Sequence, residues 1–359
     1  MRKRAPLLVL LAAAALLIFY WTFGKKTNPS GQTASGSGVS SSGTAPDKTG
    51  GGVSGKKGLG RPASSAGKVA NGKAVFTSKW GAGEGELGHE RPQEGAPLGP
   101  MSVVTDGKGR LVILDTVNGR VVRRGMDGKL DSEVKIGLLD PQDMAVAQDG
   151  SMAVLDRFAD KKVAVYDETG ALKGELPLVG EGIEDVGDVT GVFVDGSDVY
   201  AEKEHGPLVR VGSTSGEPAE PQTEIPGRPS RDGLSYLLAG IIDGPAGRVY
   251  VASIEKATKS QRFTRELRQP YFVHAIVLLD TDKTGMIYFG TAVEQPDGSQ
   301  SVLLSCLEPI KGNVVGTVTL PANTLPEETT RDFAVLDDGG VVYSLRAESG
   351  VSYLYYDCE

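Results

Sequence analysis

Short apolar runs alternate with turn-forming residues from about residue 100 to the end of the chain, and they do so in a repeating order. Residues 101–105 are apolar, Asp106-Gly107 is a turn signal, and residues 111–115 are apolar again and end on Asp115. Residues 144–148, Asp149-Gly150 and residues 152–156, ending on Asp156, repeat the arrangement. Asp-Gly between short apolar runs is a hairpin signal, because both residues tolerate positive φ. Each unit continues into a third run (residues 119–124 and 162–167) and then a further turn at Asp127-Gly128 or Thr169-Gly170. Weaker copies turn at Asp195, Asp243, Asp282 and Asp338, so that the turn acids are spaced by 43, 46, 48, 39 and 56 residues. A repeat of that length holds one four-stranded propeller blade. The pattern predicts an all-β fold, a six-bladed β-propeller with four-stranded blades.

The ends of the repeat fit a closed ring. The last copy stops after a third run at residues 351–357, whereas an extra run, residues 74–80, precedes the first complete copy. The closing blade is therefore expected to take its outer strand from the front of the chain, which leaves no exposed sheet edge. Residues 257–270 are basic and alternate poorly; they read as an insertion in blade four.

Ahead of the repeat the pattern changes. Residues 7–23 carry no charge, follow Arg2, Lys3 and Arg4, and precede Lys25 and Lys26. Such a run is at the short end for a helix that spans a bilayer. Phe19, Tyr20, Trp21 and Phe23 gather at its far end, where an aromatic belt belongs. They also make a poor peptidase site, so an uncleaved anchor over residues 1–26 is expected rather than a cleaved signal peptide. With a tiny N-terminal tail, the expected orientation is N-in at the cytoplasmic membrane, with the bulk of the chain in the periplasm or outside the cell. Residues 27–73 are mostly Gly, Ser, Thr, Ala, Pro and Lys. This composition buries too little apolar surface to offset ordering entropy and predicts a disordered linker. The propeller is expected over residues 74–359.

Charge sharpens this division. Residues 1–73 hold eleven Lys/Arg and one Asp, a net +10, so the rest carries −18 against −8 for the whole chain. An acidic domain of that size argues against nucleic acid as a partner, since binding there relies on Lys and Arg displacing counterions. The expected partners are the membrane, through the N-terminal helix, and a protein or cell-envelope ligand, with the chain itself monomeric. The only cysteines are Cys306 and Cys358. Export would allow them to pair as a disulfide; two unpaired small apolar side chains are the other reading.

One stretch carries a family resemblance. Gly99-Pro-Met-Ser-Val-Val-Thr-Asp106-Gly-Lys-Gly-Arg-Leu-Val-Ile-Leu-Asp115-Thr-Val-Asn118-Gly-Arg120-Val-Val-Arg123 resembles the NHL repeat: a Pro, an apolar strand, D-x-x-G, a second strand, then D-x-x-N-x-R-[IV]. Blade two matches in part, and the other copies lack the Asn and Arg. The resemblance implies a six-bladed propeller, in a family that includes ligand-binding scaffolds, protein-binding modules and a few lyases or lactonases. It also implies a structural role for the Asp ahead of the third strand.

Candidate chemistry is sparse. Asp115 and Asp156 end the second strands of blades one and two, with Glu202 in register. They could form a Ca²⁺-binding ring in the channel, but capping of turns is the expected role. Asp143 and Asp332 precede first strands in matching register and are expected at the channel mouth, as ordinary solvated turn residues or as contacts for a cation or basic ligand. The glycine-rich loop 81–95 holds Glu84, Glu86, His89 and Glu90 and is the expected partner-contact loop. The three histidines, His89, His205 and His274, lie in separate repeats without metal-ligand spacing. No nucleophile motif of the G-x-S-x-G type occurs. The expectation is a binding or scaffold module with no catalytic residues and no cofactor. The alternative is a lactonase- or lyase-like enzyme with a metal such as Ca²⁺ in the channel.

Overall fold

The computed structural model describes residues 69–358. The expected anchor (1–26) and all but the last residues of the expected linker (27–73) lie outside these. Among the described residues no helix is long and apolar enough to cross a membrane.

The first strand, β1 (Lys73–Lys79), is followed by six consecutive groups of strands. Blade one is β2 (Ser102–Thr105), β3 (Leu111–Asp115), β4 (Arg120–Arg124) and β5 (Leu130–Lys135). Blade two is β6 (Asp143–Val146), β7 (Met152–Asp156), β8 (Lys162–Tyr166) and β9 (Leu172–Pro177). Blade three is β10 (Val189–Asp195), β11 (Asp198–Lys203), β12 (Leu208–Ser213) and β13 (Glu224–Ile225). Blade four is β14 (Arg228–Pro229), β15 (Ser235–Asp243), β16 (Arg248–Glu255) and β17 (Gln261–Arg268). Blade five is β18 (Phe272–Thr281), β19 (Ile287–Glu294), β20 (Gln300–Leu307) and β21 (Val314–Pro321). Blade six is β22 (Phe333–Val335), β23 (Val341–Ala347) and β24 (Gly350–Tyr356), completed by β1. Each group forms one four-stranded antiparallel sheet, so the fold is a six-bladed propeller.

Ring closure follows the expected route. β1 pairs antiparallel with β24, from Lys73 opposite Tyr355 to Lys79 opposite Gly350. Trp80, just past β1, donates its indole N–H to the Ala347 carbonyl at 2.9 Å.

Blade four corrects the sequence reading twice. The stretch expected as an insertion is the regular outer strand β17, paired with β16 from Arg248↔Arg268 to Ile254↔Gln261. It alternates because Phe263 is buried while Thr264 is exposed. The turn at Asp243-Gly244, expected between the first and second strands, joins the second and third instead. The equivalent of the Asp106 turn is Asp232-Gly233, where Gly233 has φ of 75°. The side chain of Asp232 accepts from the Leu234 N–H and from Ser230 Oγ.

Apolar side chains fill the seams between blades. Val112, Leu114, Met144 and Val154 pack between blades one and two, and Leu155, Val163, Val192 and Ala201 between two and three. Similar clusters lie between blades four and five, five and six, and six and one. The seam between three and four is crossed by charged and aromatic contacts. Lys256 Nζ lies 2.7 Å from Asp195, and Arg228 meets Glu202 and lies over the Phe193 ring.

Cys306 on β20 and Cys358 just beyond β24 are joined by a disulfide, with Cα atoms 6.1 Å apart. It ties the tail of blade six to blade five. The tail lies so close to Gly316 that a Cβ there would meet the Cys358 carbonyl.

Candidate functional site

The channel is built by the six inner strands, and two layers of arginine bridge it. On the upper face, where each outer strand leads into the next blade, lies the layer centred on Asp143. Asp143 opens β6 and is fully buried. It accepts from Ser102 Oγ of blade one (2.8 Å), the Val192 N–H of blade three (2.9 Å) and Arg331 Nη2 ahead of blade six (2.7 Å). The expectation that Asp143 is a solvated turn residue is therefore incorrect. A buried carboxylate requires this many donors, because leaving it unpaired away from water is costly. Burial works against the charge on Arg331, but Asp143 outweighs it, so that the guanidinium holds its proton more tightly than usual.

Arg331 and Arg228 lie against the Phe193 ring, with guanidinium carbons 4.8 and 5.0 Å from its centre. Such stacking over an aromatic face is favourable for arginine. Arg228 also reaches Glu202 Oε1 at 2.6 Å and the Leu279 carbonyl at 3.2 Å. Burial alone would raise the Glu202 carboxyl. The Arg228 charge, with hydrogen bonds from His205 and Arg228, prevails and holds it at about 2.

The second layer lies toward the lower face, where the turns between first and second strands gather. Arg231 crosses the channel from blade four. Its Nη1 donates to Thr105 Oγ1 of blade one and the Val335 carbonyl of blade six, both at 3.0 Å. It also pairs with Asp280 (3.1 Å) and Asp337 (3.3 Å), and Lys283 adds a 2.6 Å contact to Asp337. A cavity of about 270 Å³ remains here, lined by Phe193, Ser230, Arg231, Lys283, Gln148 and Asp337 among others. This cup joins both layers, with Arg331 and Phe193 above, Arg231 and Lys283 below, and Val104, Ala145 and Val194 among its apolar members.

The other expected residues have local structural partners. Asp115 accepts from the Gly88 N–H, Asn118 Nδ2 and Arg120 Nε, each at 2.8 Å. Asp156 accepts from the N–H groups of Asp140, Ala159 and Asp160. Asp156 caps the turn that follows it, as the sequence suggests, whereas Asp115 accepts no N–H of its own turn and holds loop 81–95 and the Asn118 and Arg120 side chains instead. Asp332 accepts from Ser344 Oγ at 3.0 Å and lies 3.3 Å from Arg346, at the upper face of blade six and apart from Asp143.

Loop 81–95 is laid down over blades one and six. Arg120 donates to the Gly83 and Glu86 carbonyls, and Arg124 to the Gly85 carbonyl. Glu86 turns inward and accepts the Gly83 N–H. His89 stacks on Trp80 and lies 2.7 Å from the buried Glu327 carboxylate, which Arg91 also contacts. Burial would raise Glu327, but His89 and Arg91 hold it below the usual carboxylate range. Of the four, only Glu84 and Glu90 are exposed, and Glu86 and His89 are half-buried. The four residues do not converge. Among the described residues no group of three or more His, Cys, Asp or Glu side chains is placed to hold a metal ion.

Sequence reasoning missed Phe193, Arg228, Arg231, Lys283 and Arg331. Arg331 is 188 residues from Asp143 and Arg231 is 126 from Thr105, beyond any local pattern. The one available signal was two arginines beside an inner strand, in Arg228-Pro229-Ser230-Arg231.

The strand order defines the class: a β-propeller of six four-stranded blades, with a bridged channel. Solved structures with a similar course include hydrazine synthase of Kuenenia stuttgartiensis, at 15% identity over 72% of this chain and 76% of that one, with a TM-score of 0.45. U3-55K is similar at 12% identity over 74% of this chain and 97% of that one (TM-score 0.44). A streptogramin B lyase is similar at 12% identity over 75% and 97% (TM-score 0.41). No family model and no curated protein matches the chain.

Proposed function

We propose that this chain is a membrane-tethered, extracytoplasmic propeller of the NHL-like kind that serves as a binding or scaffold module. The observation that carries the reading is the state of the channel carboxylates. Asp143, Glu202, Asp280 and Asp337 each engage an arginine from another part of the ring. The axis is thus an internally neutralised plug, and the cup below it offers groups of both signs to a ligand. The enzyme reading needs carboxylates free to take a cation, and here their lone pairs already meet guanidinium groups.

Three features support the finer parts of the reading. The Asp115-x-x-Asn118-x-Arg120 set acts as a clamp between β3, β4 and loop 81–88, as the NHL resemblance implies. The disulfide suits an oxidising compartment. The uncharged run at residues 7–23 suits an anchor.

Thermal unfolding of the full chain with Ca²⁺, Zn²⁺ or chelator tests the proposal. A ligand that binds only the folded state raises its melting temperature. The expected result is no change beyond about one degree in any condition. A metal-dependent rise of several degrees would overturn the binding-module reading in favour of a channel metal.

A further inference from the structure

The ring is uneven in height. Strands of blades one and two run four to six residues. In blade four, β15, β16 and β17 run nine, eight and eight. In blade five, β18 runs ten and the others eight. At roughly 3.3 Å per residue, three extra residues add about 10 Å. Compact turns at residues 230–234 and 282–286 hold the lower ends, so the added length stands above the upper face as a wall.

Blade four is incomplete within this wall. β14 pairs only Arg228 with Leu237 and Pro229 with Tyr236. β15 continues through residues 238–243 with β16 on one side and, among the described residues, no strand on the other. The Ser235 carbonyl faces that inner side, where it accepts the Ser230 N–H. Backbone direction alternates along an antiparallel strand, so Ala239 and Ile241 present their N–H and C=O groups the same way, toward the upper channel mouth. In blade five the corresponding place is filled by β18, which pairs with β19 from Phe272↔Glu294 to Thr281↔Ile287.

The surroundings are aliphatic. Ile241 and Ile242 are 41% and 45% exposed, and Phe272 and Val277 on β18 are 41% and 36% exposed. Phe272 lies over Gly244, and Ala239 and Ile276 adjoin the apolar cluster between blades four and five. Edge strands are usually blunted by charge or proline. Leu238-Ala-Gly-Ile-Ile242 contains neither.

We propose that the β15 edge at Ala239 and Ile241 binds an extended, aliphatic segment of a partner protein as an added strand. The added strand runs antiparallel to β15 and continues the line of β14. The new interface is continuous with two that already exist, the β14–β15 ladder and the packing of blade four on blade five. Main-chain hydrogen bonds supply its affinity, and alternate aliphatic residues meet Ile241 and the adjoining β18 side chains. The inference deepens the binding reading above, and it involves none of the channel groups that the metal test reads, so either can fail alone.

The probe is a synthetic peptide of the β18 sequence, Phe-Val-His-Ala-Ile-Val-Leu-Leu-Asp-Thr, added to the full chain. Amide exchange is read residue by residue. At a peptide concentration about ten times its Kd, the Ala239 and Ile241 amides exchange about tenfold more slowly. Gly240, whose N–H is directed to β16, does not change. Ala239→Pro removes one edge N–H and spares the β16 ladder, and Ile241→Lys places a charge on the edge. Each abolishes the protection of the edge amides that remain, Ile241 alone in the first variant and both in the second, at an unchanged melting temperature. Absence of protection in the parent chain overturns the proposal, as does equal protection in both variants. Protection without peptide also overturns it: growth with protein concentration assigns the edge to a second copy, and independence of concentration assigns it to this chain's own residues.

Discussion

Glu202 shows on what terms a charge is kept inside this ring. Its side chain is 2% exposed, yet it titrates at about 2 against an ordinary 4.5, because Arg228 and His205 outweigh burial. The folded state therefore binds this proton less readily than the unfolded chain does. The resulting stabilisation is complete above pH 4.5 and is lost as pH falls toward 2. The shift corresponds to about 3 kcal/mol, of which about 2 kcal/mol is gone by pH 3. Urea unfolding of the full chain should show that loss between pH 5 and pH 3. Glu202→Gln should be less stable at pH 7 and show a flatter acid limb, and an unchanged limb would assign the acid sensitivity elsewhere. Acid positions such as Glu202 and Asp143 were visible in the sequence, but their burial was not. Their partners Arg228 and Arg331 come from other blades, and only closure of the ring brings them near.

The strand–turn–strand unit was legible wherever both of its strands are short and a turn acid with its glycine separates them, as at Asp106 and Asp149. It failed at blade four for a definite reason. β14 is two residues long and ends on Pro229, so it has no apolar run to announce it. The nine-residue β15 ends on its own Asp243-Gly244 turn, which imitates the missing signal. The closing strand β1 was legible because the last repeat was one strand short. The cysteines were visible, but their proximity depends on β20 and the tail of blade six lying side by side. Their bond closes a loop over a separation of 52 residues. On loop-closure entropy that stabilises the fold by about 4 kcal/mol. Cys358→Ser should lower the denaturant midpoint accordingly, and a thiol reductant should do the same to the parent chain but not to the variant. Equal effects of reductant on both would mean that the bond contributes nothing.

Over the whole molecule, the channel network acts as a hub. Asp143 alone collects groups from blades one and three and from Arg331 ahead of blade six. Removing one member of such a buried pair is costly because the other is left charged and dry. Arg331→Met should destabilise the full chain by about 3–5 kcal/mol, and Arg331→Met with Asp143→Leu by much less. Chemical unfolding of the two variants checks this, and equal losses would show that packing around the channel matters more than the charge pair.

The way the chain enters the ring has a mechanical consequence. Any pull exerted through residues ahead of Val69 meets first the hydrogen bond from the Ala70 N–H to the Thr319 carbonyl of β21 and then β1, which lies beside β24 with six residue pairs between Lys73 and Lys79. Ladder hydrogen bonds lie across the strand direction. A load along the strand therefore strains them together, in shear, rather than peeling them one by one. What β24 receives passes on through Cys358 to β20 by a covalent bond. Tension on the N-terminal segment is thus spread over two blades at the point where it arrives.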